Sequence, residues 1–299
     1  MHRIDPVSLQ LFLAVVREGS IKRAAETEHI AQSALSRRMA DLEHSLGVPL
    51  LSRSPMGVQL TEAGERAHAL GQRLNADIEA FVREVRSLSG AVAGTVRLFA
   101  NPSSVVGFLP EKLQAFRAAY PEVEIALQER STSEVLRACL DDRADVGVGA
   151  AVEETPRGIE SWHFADDPLI VVLPPKHPLT KQRKVRFSDV LKFPLIGMSV
   201  GGALDTFLQE KAESLHLKMY QPVGVASYDA GCRMIEVGLG IAIMPSSAVL
   251  AYAGTKRFVR RPLDEPWRDR SLRVYALRKS SRLRAVEALL ATLGTPGEG

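Results

Sequence analysis

From Thr95 onward, short apolar runs alternate with helix-like runs, and that alternation limits the fold of this 299-residue chain more than any other feature. TVRLFA (95–100) precedes LPEKLQAFRAA (109–119), VEIALQE (123–129) precedes SEVLRACLDD (133–142), and ADVGVGA (144–150) closes the first series. A second series runs DPLIVVLP, FPLIGM, ALDTFLQEKAESL, PVGVAS, DAGCRMIEVG and IAIMP, and LRVYALR with RLRAVEALLATL ends the chain. Strands alternating with helices predict an α/β architecture with largely parallel sheets, here two of them. The boundaries fall near 95–163 with 267–299 for one lobe and 164–266 for the other.

Upstream of GAVAG (90–94), a flexible break and the best domain boundary, the reading is helical. Asp5-Pro6 offers an N-cap and a proline at the first helical position, followed by Leu9, Phe12, Leu13 and Val16 at helical spacing. Gly19 ends that helix, and Ser20 caps a short second one. A third covers QSALSRRMADLEHSLG (32–47), and VPLLSRSPMGVQLT (48–61) reads as a β-hairpin. From Thr61 to Leu88 one stripe of Ala63, Ala67, Leu70, Leu74, Ile78, Phe81, Val85 and Leu88 runs along a helix rimmed with charge. So long a stripe calls for a partner helix, hence dimerisation.

On a wheel of about 100° per residue, Leu35, Met39, Leu42 and Leu46 share one side of the third helix. Ser33, Arg37 and His44 lie opposite, with Ser36 and Ala40 on the flanks. Small or hydrogen-bonding tips with one long cation suit entry into a DNA major groove, where bulky apolar tips could not reach base edges. Arg37 suits guanine and Gln32 adenine or a phosphate, whereas Arg38, beside the apolar stripe, suits a phosphate or packing. Ser20, Lys22 and Arg23 at the start of the second helix face a phosphate, and Arg53 on the hairpin reaches the backbone or the minor groove. Formal net charge is only +3. Residues 1–62 hold seven basic and seven acidic side chains, so DNA affinity depends on where the charges sit.

Ligands of open parallel sheets bind where strands end and helices begin. Four such junctions carry hydroxyls or glycines: NPSS (101–104), RSTS (130–133), SVGG (199–202) and SYDAG (227–231). Helix N-terminal amides and hydroxyls converging there suit a small anion such as a carboxylate, with Arg130 as a candidate counter-charge. The candidate effector contacts are Pro102, Ser103, Ser104, Ser131, Thr132, Gly149, Ser199, Val200, Gly201, Ser227, Tyr228 and Asp229.

GMSVG (197–201) also matches the G-x-S-x-G nucleophile elbow. The only later histidine is His216, and the acids between are Asp205, Glu210 and Glu213, all on one predicted helix. Such residues cannot converge on Ser199 as a triad, so no catalytic residue is assigned. Cys139 and Cys232 sit on apolar stripes and read as core residues rather than a redox switch. The histidines show no metal-ligand spacing. No apolar stretch approaches the roughly 18–20 residues of a membrane span, and the N-terminus lacks a signal-peptide pattern; a cytoplasmic protein is expected.

Residues 9–64 resemble the winged helix-turn-helix of the LysR-type transcriptional regulators. The likeness rests on LQLFLAVVREGSIKRAAE (9–26), Gln32 with Ser36-Arg37, LEHSLGVPLLSR (42–53) and LTEAG (60–64), and it extends along the whole chain. It implies a DNA-binding head (1–62) with Thr61 in the contact set, a linker helix (63–89) that dimerises, a hinge (90–94) and an effector domain (95–299). That domain would hold two Rossmann-like lobes similar to the type 2 periplasmic binding fold. The implied partners are promoter or operator DNA, a small-molecule effector, further copies of the chain (a dimer through the linker, then a tetramer) and, for an activator, RNA polymerase. No cofactor or membrane is implied, and the protein would work in the cytoplasm at the nucleoid. Glu28 stands where the family has a buried leucine, Ala31 where a hydroxyl often caps the third helix, and Leu51 where phenylalanine is frequent. Glu28 is expected to turn outward.

Overall fold

The computed structural model describes residues 5–54, 57–87, 92–252, 254, 257–279 and 282–294. They form two compact units, Met1–Ser89 and Gly90–Gly299. In the first, α1 (Pro6–Glu18) starts where the Asp5 carboxylate accepts the N–H groups of Val7 and Ser8 at 3.2 and 3.3 Å, and it stops at Gly19 with φ +61°. Helix α2 (Ile21–Thr27) is capped by Ser20, and α3 (Gln32–Leu46) ends at Gly47 with φ +72°. These short helices are stabilised by their apolar sides rather than by propensity: Phe12, Val15, Ala24, Leu35, Met39 and Leu42 make one core with Leu50. Leu46 departs from the expected stripe. It lies in the last turn of α3 and is 37% exposed. Glu28 turns outward as expected and meets Arg17 at 3.2 Å.

Strands β1 (Leu51–Ser54) and β2 (Gly57–Leu60) form the antiparallel hairpin, with Leu51 opposite Leu60; its expected tip at Pro55 and Met56 lies outside the described residues. The Glu43 carboxylate of α3 accepts the N–H groups of Leu50 and Leu51 at 2.7 and 2.9 Å, which pins the hairpin to the third helix. Helix α4 (Glu62–Ser87) has 26 residues, a rod of about 39 Å at 1.5 Å per residue. Its predicted stripe divides. Ala63 and Ala67 pack on the head's core, while Leu70, Leu74 and Phe81 are 63, 46 and 67% exposed. The Val85 side chain and Leu88 lie outside the described residues. Gly64 is fixed by close approach, since a Cβ there would lie 2.0 Å from the Leu50 carbonyl oxygen.

The second unit contains two lobes. Strands β3 (Gly94–Ala100), β4 (Val123–Glu129), β5 (Val146–Ala150) and β6 (Ile159–Asp166) belong to the first. With them go helices α5 (Pro102–Gly107), α6 (Leu109–Ala119) and α7 (Thr132–Leu140). The chain then crosses to β7 (Leu169–Leu173), α8 (Phe187–Val190), β8 (Ile196–Met198), α9 (Ala203–Ser214) and β9 (Val223–Val225). The second lobe continues with α10 (Tyr228–Glu236), β10 (Ala242–Pro245), α11 (Ser246–Leu250) and β11 (Val259–Pro262). A return crossing leads to β12 (Ser271–Leu277) and α12 (Arg284–Leu293) in the first lobe. Of the expected hinge, Gly90 and Ala91 lie outside the described residues, and Val92 packs against the first lobe's core.

The sheets are mixed rather than largely parallel. The first runs β4-β3-β5-β12-β6 and is parallel only among β4, β3 and β5, because β12 returns from the other lobe and pairs antiparallel with both neighbours. In the second lobe β10-β7-β11 is wholly antiparallel, and β8-β9 is a parallel pair. The alternation of elements predicted two largely parallel sheets; among the described residues of this unit there are three, since β8-β9 stands apart from β10-β7-β11, and their polarity depends on where the chain changes lobe.

The lobes meet closely at one seam. Helix α5 lies against α11, and a Cβ on Gly107 would fall 2.4 Å from Ser247 Cβ. Beside it, Arg270 Nη2 meets Asp167 Oδ2 at 3.1 Å and donates to Ser103 Oγ at 2.6 Å, while Asp167 accepts the Ser247 N–H at 3.0 Å. Asp167 and Arg270 sit on the two crossing segments, so the cluster joins both strands of the connection to α5 and α11.

Candidate nucleic-acid interface and effector cleft

The exposed face of α3 is polar and unengaged. Gln32, Ser33 and Arg37 are exposed and Ser36 is half-buried. None of their side chains enters a hydrogen bond or ion pair among the described residues. Ala31 supplies no side-chain cap, so the first N–H groups of this helix remain available to an anion. A groove of about 720 Å³ beside α1 is lined by Ser8, Ser33, Ala34, Arg37, Arg38 and Asp41.

Other candidate DNA contacts have structural partners. Arg38 Nη1 donates to Asp5 Oδ2 at 2.7 Å and Ser8 Oγ at 3.3 Å, tying α3 to the start of α1. The Val7 N–H, then the Ser8 and Arg38 bonds, hold the Asp5 carboxyl below its ordinary range. Arg23 Nη2 donates to the Glu18 carbonyl at 2.5 Å and closes the C-terminal end of α1. Ser20 Oγ accepts the Arg23 N–H at 3.4 Å. Thr61 Oγ1 donates to the Pro49 carbonyl at 2.7 Å and accepts the Gly64 N–H at 2.9 Å, capping α4. Lys22 projects outward with only a 4.0 Å contact to Glu26. Arg53 lies on β1, and its side chain is outside the described residues.

In the second unit, the candidate effector residues fall into three groups. Pro102 and Ser131, with Glu129, Arg130 and Glu134, line an open recess of about 280 Å³ in the first lobe. There Ser131 and Glu134 form a reciprocal capping box, and the Ser131 hydroxyl and N–H hold the Glu134 carboxyl below its ordinary range. Arg130 folds back on the Glu129 carbonyl at 2.7 Å and Gln128 at 3.1 Å. Thr132 Oγ1 accepts the Ala150 N–H at 3.1 Å, and Gly149 lies buried beneath that side chain.

The second group is the seam. Ser103 spends its hydroxyl on Arg270, and the buried Ser104 donates to Asn101 Oδ1 at 2.5 Å inside the first turn of α5. Tyr228 lies in the field of Arg270, Asp167 and Glu129, and burial pushes its phenol up to about 12. At neutral pH that hydroxyl is therefore a donor.

The third group is the turn after β8. Ser199 has φ +48°, and its hydroxyl donates to the Ala226 carbonyl at 3.4 Å, joining this turn to the one after β9. Val200, 63% exposed, leans over Gly197 and Gly224. The Gly201 N–H donates to Asp205 Oδ2 at 2.8 Å. Asp205 is only 2% exposed and is satisfied by three donors, the others being Gln209 and Gln221 at 3.2 and 2.8 Å. Ser227 caps α10 through the Ala230 N–H at 3.3 Å, and Asp229 is exposed. Asp167, Arg270, Ser247 and Asp205 were absent from the sequence-predicted set. Three of them lie on crossings or at the seam, where sequence gives no neighbour, and Asp205 is an ordinary first-turn acid by pattern.

Ser199 and His216 flank opposite ends of α9 (Ala203–Ser214), about 18 Å of helix, which a triad cannot bridge. Cys139 and Cys232 are both buried, and burial pushes the Cys139 thiol up to about 12. Among the described residues no cluster of His, Cys, Asp and Glu could hold a metal ion, and no helix is long and apolar enough to cross a membrane.

A winged helix-turn-helix with a free polar third helix, followed by a two-lobed α/β binding unit, defines an effector-responsive transcriptional regulator. Residues 7–65 match the family model described as bacterial regulatory helix-turn-helix protein, lysR family, and residues 89–295 match that of the LysR substrate binding domain. The chain belongs to the LysR family of transcriptional regulators. The probable RuBisCO transcriptional regulator of Trichormus variabilis is 28% identical over 248 residues, covering 81% of this chain and 73% of the relative. The HTH-type transcriptional activator CmpR of Synechocystis is 29% identical over 238 residues, 79% of this chain and 77% of that one. Full-length CbnR, solved in complex with its target DNA, shares the fold at a TM-score of 0.75, with 20% identity, 97% of this chain and 99% of that chain.

Proposed function

We propose that the protein reads a two-part operator as a dimer joined through α4, and that a small anion held between the lobes controls the reading. The domains follow as head (1–62), linker (63–89), hinge (90–94) and effector domain (95–299), with DNA and effector contacts drawn from the sets above. The observation that carries the DNA half is the α3 face. Arg23 and Arg38 are anchored to α1, while Gln32, Ser33, Ser36 and Arg37 are held by nothing in the chain among the described residues. Groups so placed at an uncapped helix start suit base edges and the adjoining phosphates. For the effector, support comes from Tyr228, whose protonated hydroxyl lies in the field of Arg270 and Asp167 at the seam and can donate to an anion. The protein works in the cytoplasm at the nucleoid, as a dimer or tetramer, and contacts RNA polymerase where it activates.

The test begins with an operator selected in vitro from random duplexes by the full-length protein. Arg37→Ala is expected to cost about 1–3 kcal/mol on the selected site and to relax discrimination there. Lys22→Ala is expected to weaken selected and random duplexes alike. An equal loss on both for Arg37→Ala would count against base reading by α3.

A further inference from the structure

The charge of this regulator is unevenly placed. Residues 1–89 hold eleven Lys and Arg against eleven Asp and Glu, so the whole net charge of +3 resides in residues 90–299. Within them KHPLTKQRKVR (176–186) carries five cations and no acid. This stretch links β7 to α8 and is fastened beside the edge strand β11. The Val185 N–H donates to the Pro262 carbonyl at 3.0 Å, and the Asp264 N–H donates to the Val185 carbonyl at 2.8 Å. Arg261 spends its guanidinium on the carbonyls of Thr180 and Gln182 at 2.7 and 2.9 Å. The backbone is thereby fixed as a ledge, with Lys181, Arg183, Lys184 and Arg186 on one segment and Arg257 and Arg260 on the other, all six exposed.

Two carboxylates beside the ledge accept backbone N–H groups, Glu265 from Phe187 at 2.9 Å and Glu236 from Arg257 at 3.3 Å. Lys184 approaches Asp264 at 3.8 Å with both groups exposed, a pairing of small worth. Asp189, near Arg186, is held by Lys192 at 2.7 Å. Lys181, Arg183 and Arg260 have no ion pair among the described residues. Nor is any large apolar side chain of 174–190 or 257–270 exposed among the described residues. A membrane-inserting surface or the centre of a protein interface needs such anchors. A row of solvated cations on a rigid backbone instead suits a regular array of phosphates.

We infer that this ledge of the second lobe is an additional duplex-DNA contact, which grips phosphates without reading bases. It supplements the α3 face, whose unit is electrically balanced, and it gives the regulator sequence-independent affinity that the head's net charge does not provide.

The experiment measures binding of the full-length protein to a random-sequence duplex across a salt series. Every phosphate that the protein no longer neutralises should lower the slope of log K against log salt by about 0.9. The triple variant Lys181→Gln/Arg183→Gln/Arg260→Gln is therefore expected to flatten the slope by more than two such steps if all three residues engage. Arg37→Ala, tested with and without the triple change, shows whether the two surfaces act separately. A lysine-acylation footprint on the unmodified protein needs no variant: Lys181 and Lys184 should be protected by the duplex, while Lys112 should stay reactive. An unaltered slope in the folded triple variant, or Lys181 and Lys184 acylated as fast with DNA as without, overturns the inference. So does a change of sedimentation mass in the triple variant without a change of slope, which would assign the ledge to contact between subunits.

Discussion

A carboxylate with no exposure to water, as at Asp167, persists only where a cation and hydrogen-bond donors take the place of solvent. Arg270 and the Ser247 N–H supply them. Removing one partner is more damaging than removing both. Arg270→Leu is expected to destabilise the protein by about 3–5 kcal/mol, and Asp167→Leu/Arg270→Leu to recover much of that loss. Denaturant melts of both variants measure the difference, and equal losses would mean that the pair is not coupled. At this scale the sequence was informative where chemistry is local. Asp5 and Ser20, read as caps, cap helices in the structure because a cap acts on residues two or three positions away. Ser103 shows the limit. Its place after a strand suggested a ligand contact, yet its partner Arg270 is 167 residues along the chain.

At the scale of elements, α4 presents two faces. One packs Ala63 and Ala67 against the head, and the other leaves Leu70, Leu74 and Phe81 in solvent. Apolar side chains at helical spacing on a long rod call for a second helix. Leu74→Glu/Phe81→Glu is therefore expected to shift the protein toward monomers in sedimentation velocity while its far-UV circular dichroism stays native. A mass unaltered by the double change would place the dimer contact elsewhere. The helix and its stripe were legible in the sequence because period alone reveals them. Strand direction was not, since β12 runs antiparallel to β5 and β6 only because the chain has passed through the other lobe. Leu46 shows a similar gap. Periodicity assigned it to the core, but the core ends a turn earlier.

Over the whole molecule, the effector unit should respond to its ligand by stabilisation. A ligand at a hundred times its Kd adds about 2.7 kcal/mol to the state that binds it. Screening the full-length protein against small carboxylates should raise the Tm with one chemical class, and Tyr228→Phe should reduce that rise. A Tm raised only by neutral sugars would exclude an anionic effector. The seam at Gly107 and Ser247 bears on how such a ligand acts. Where α5 and α11 meet, there is hardly more than a hydrogen atom and a hydroxymethyl group between the two backbones. Matter that dense does not compress, so a ligand that draws the lobes together is expected to turn them about this line, as a door turns on its pin. In such a turn, travel would grow with distance from the pin, widest at the outer lips and least at Ser103 and Arg270.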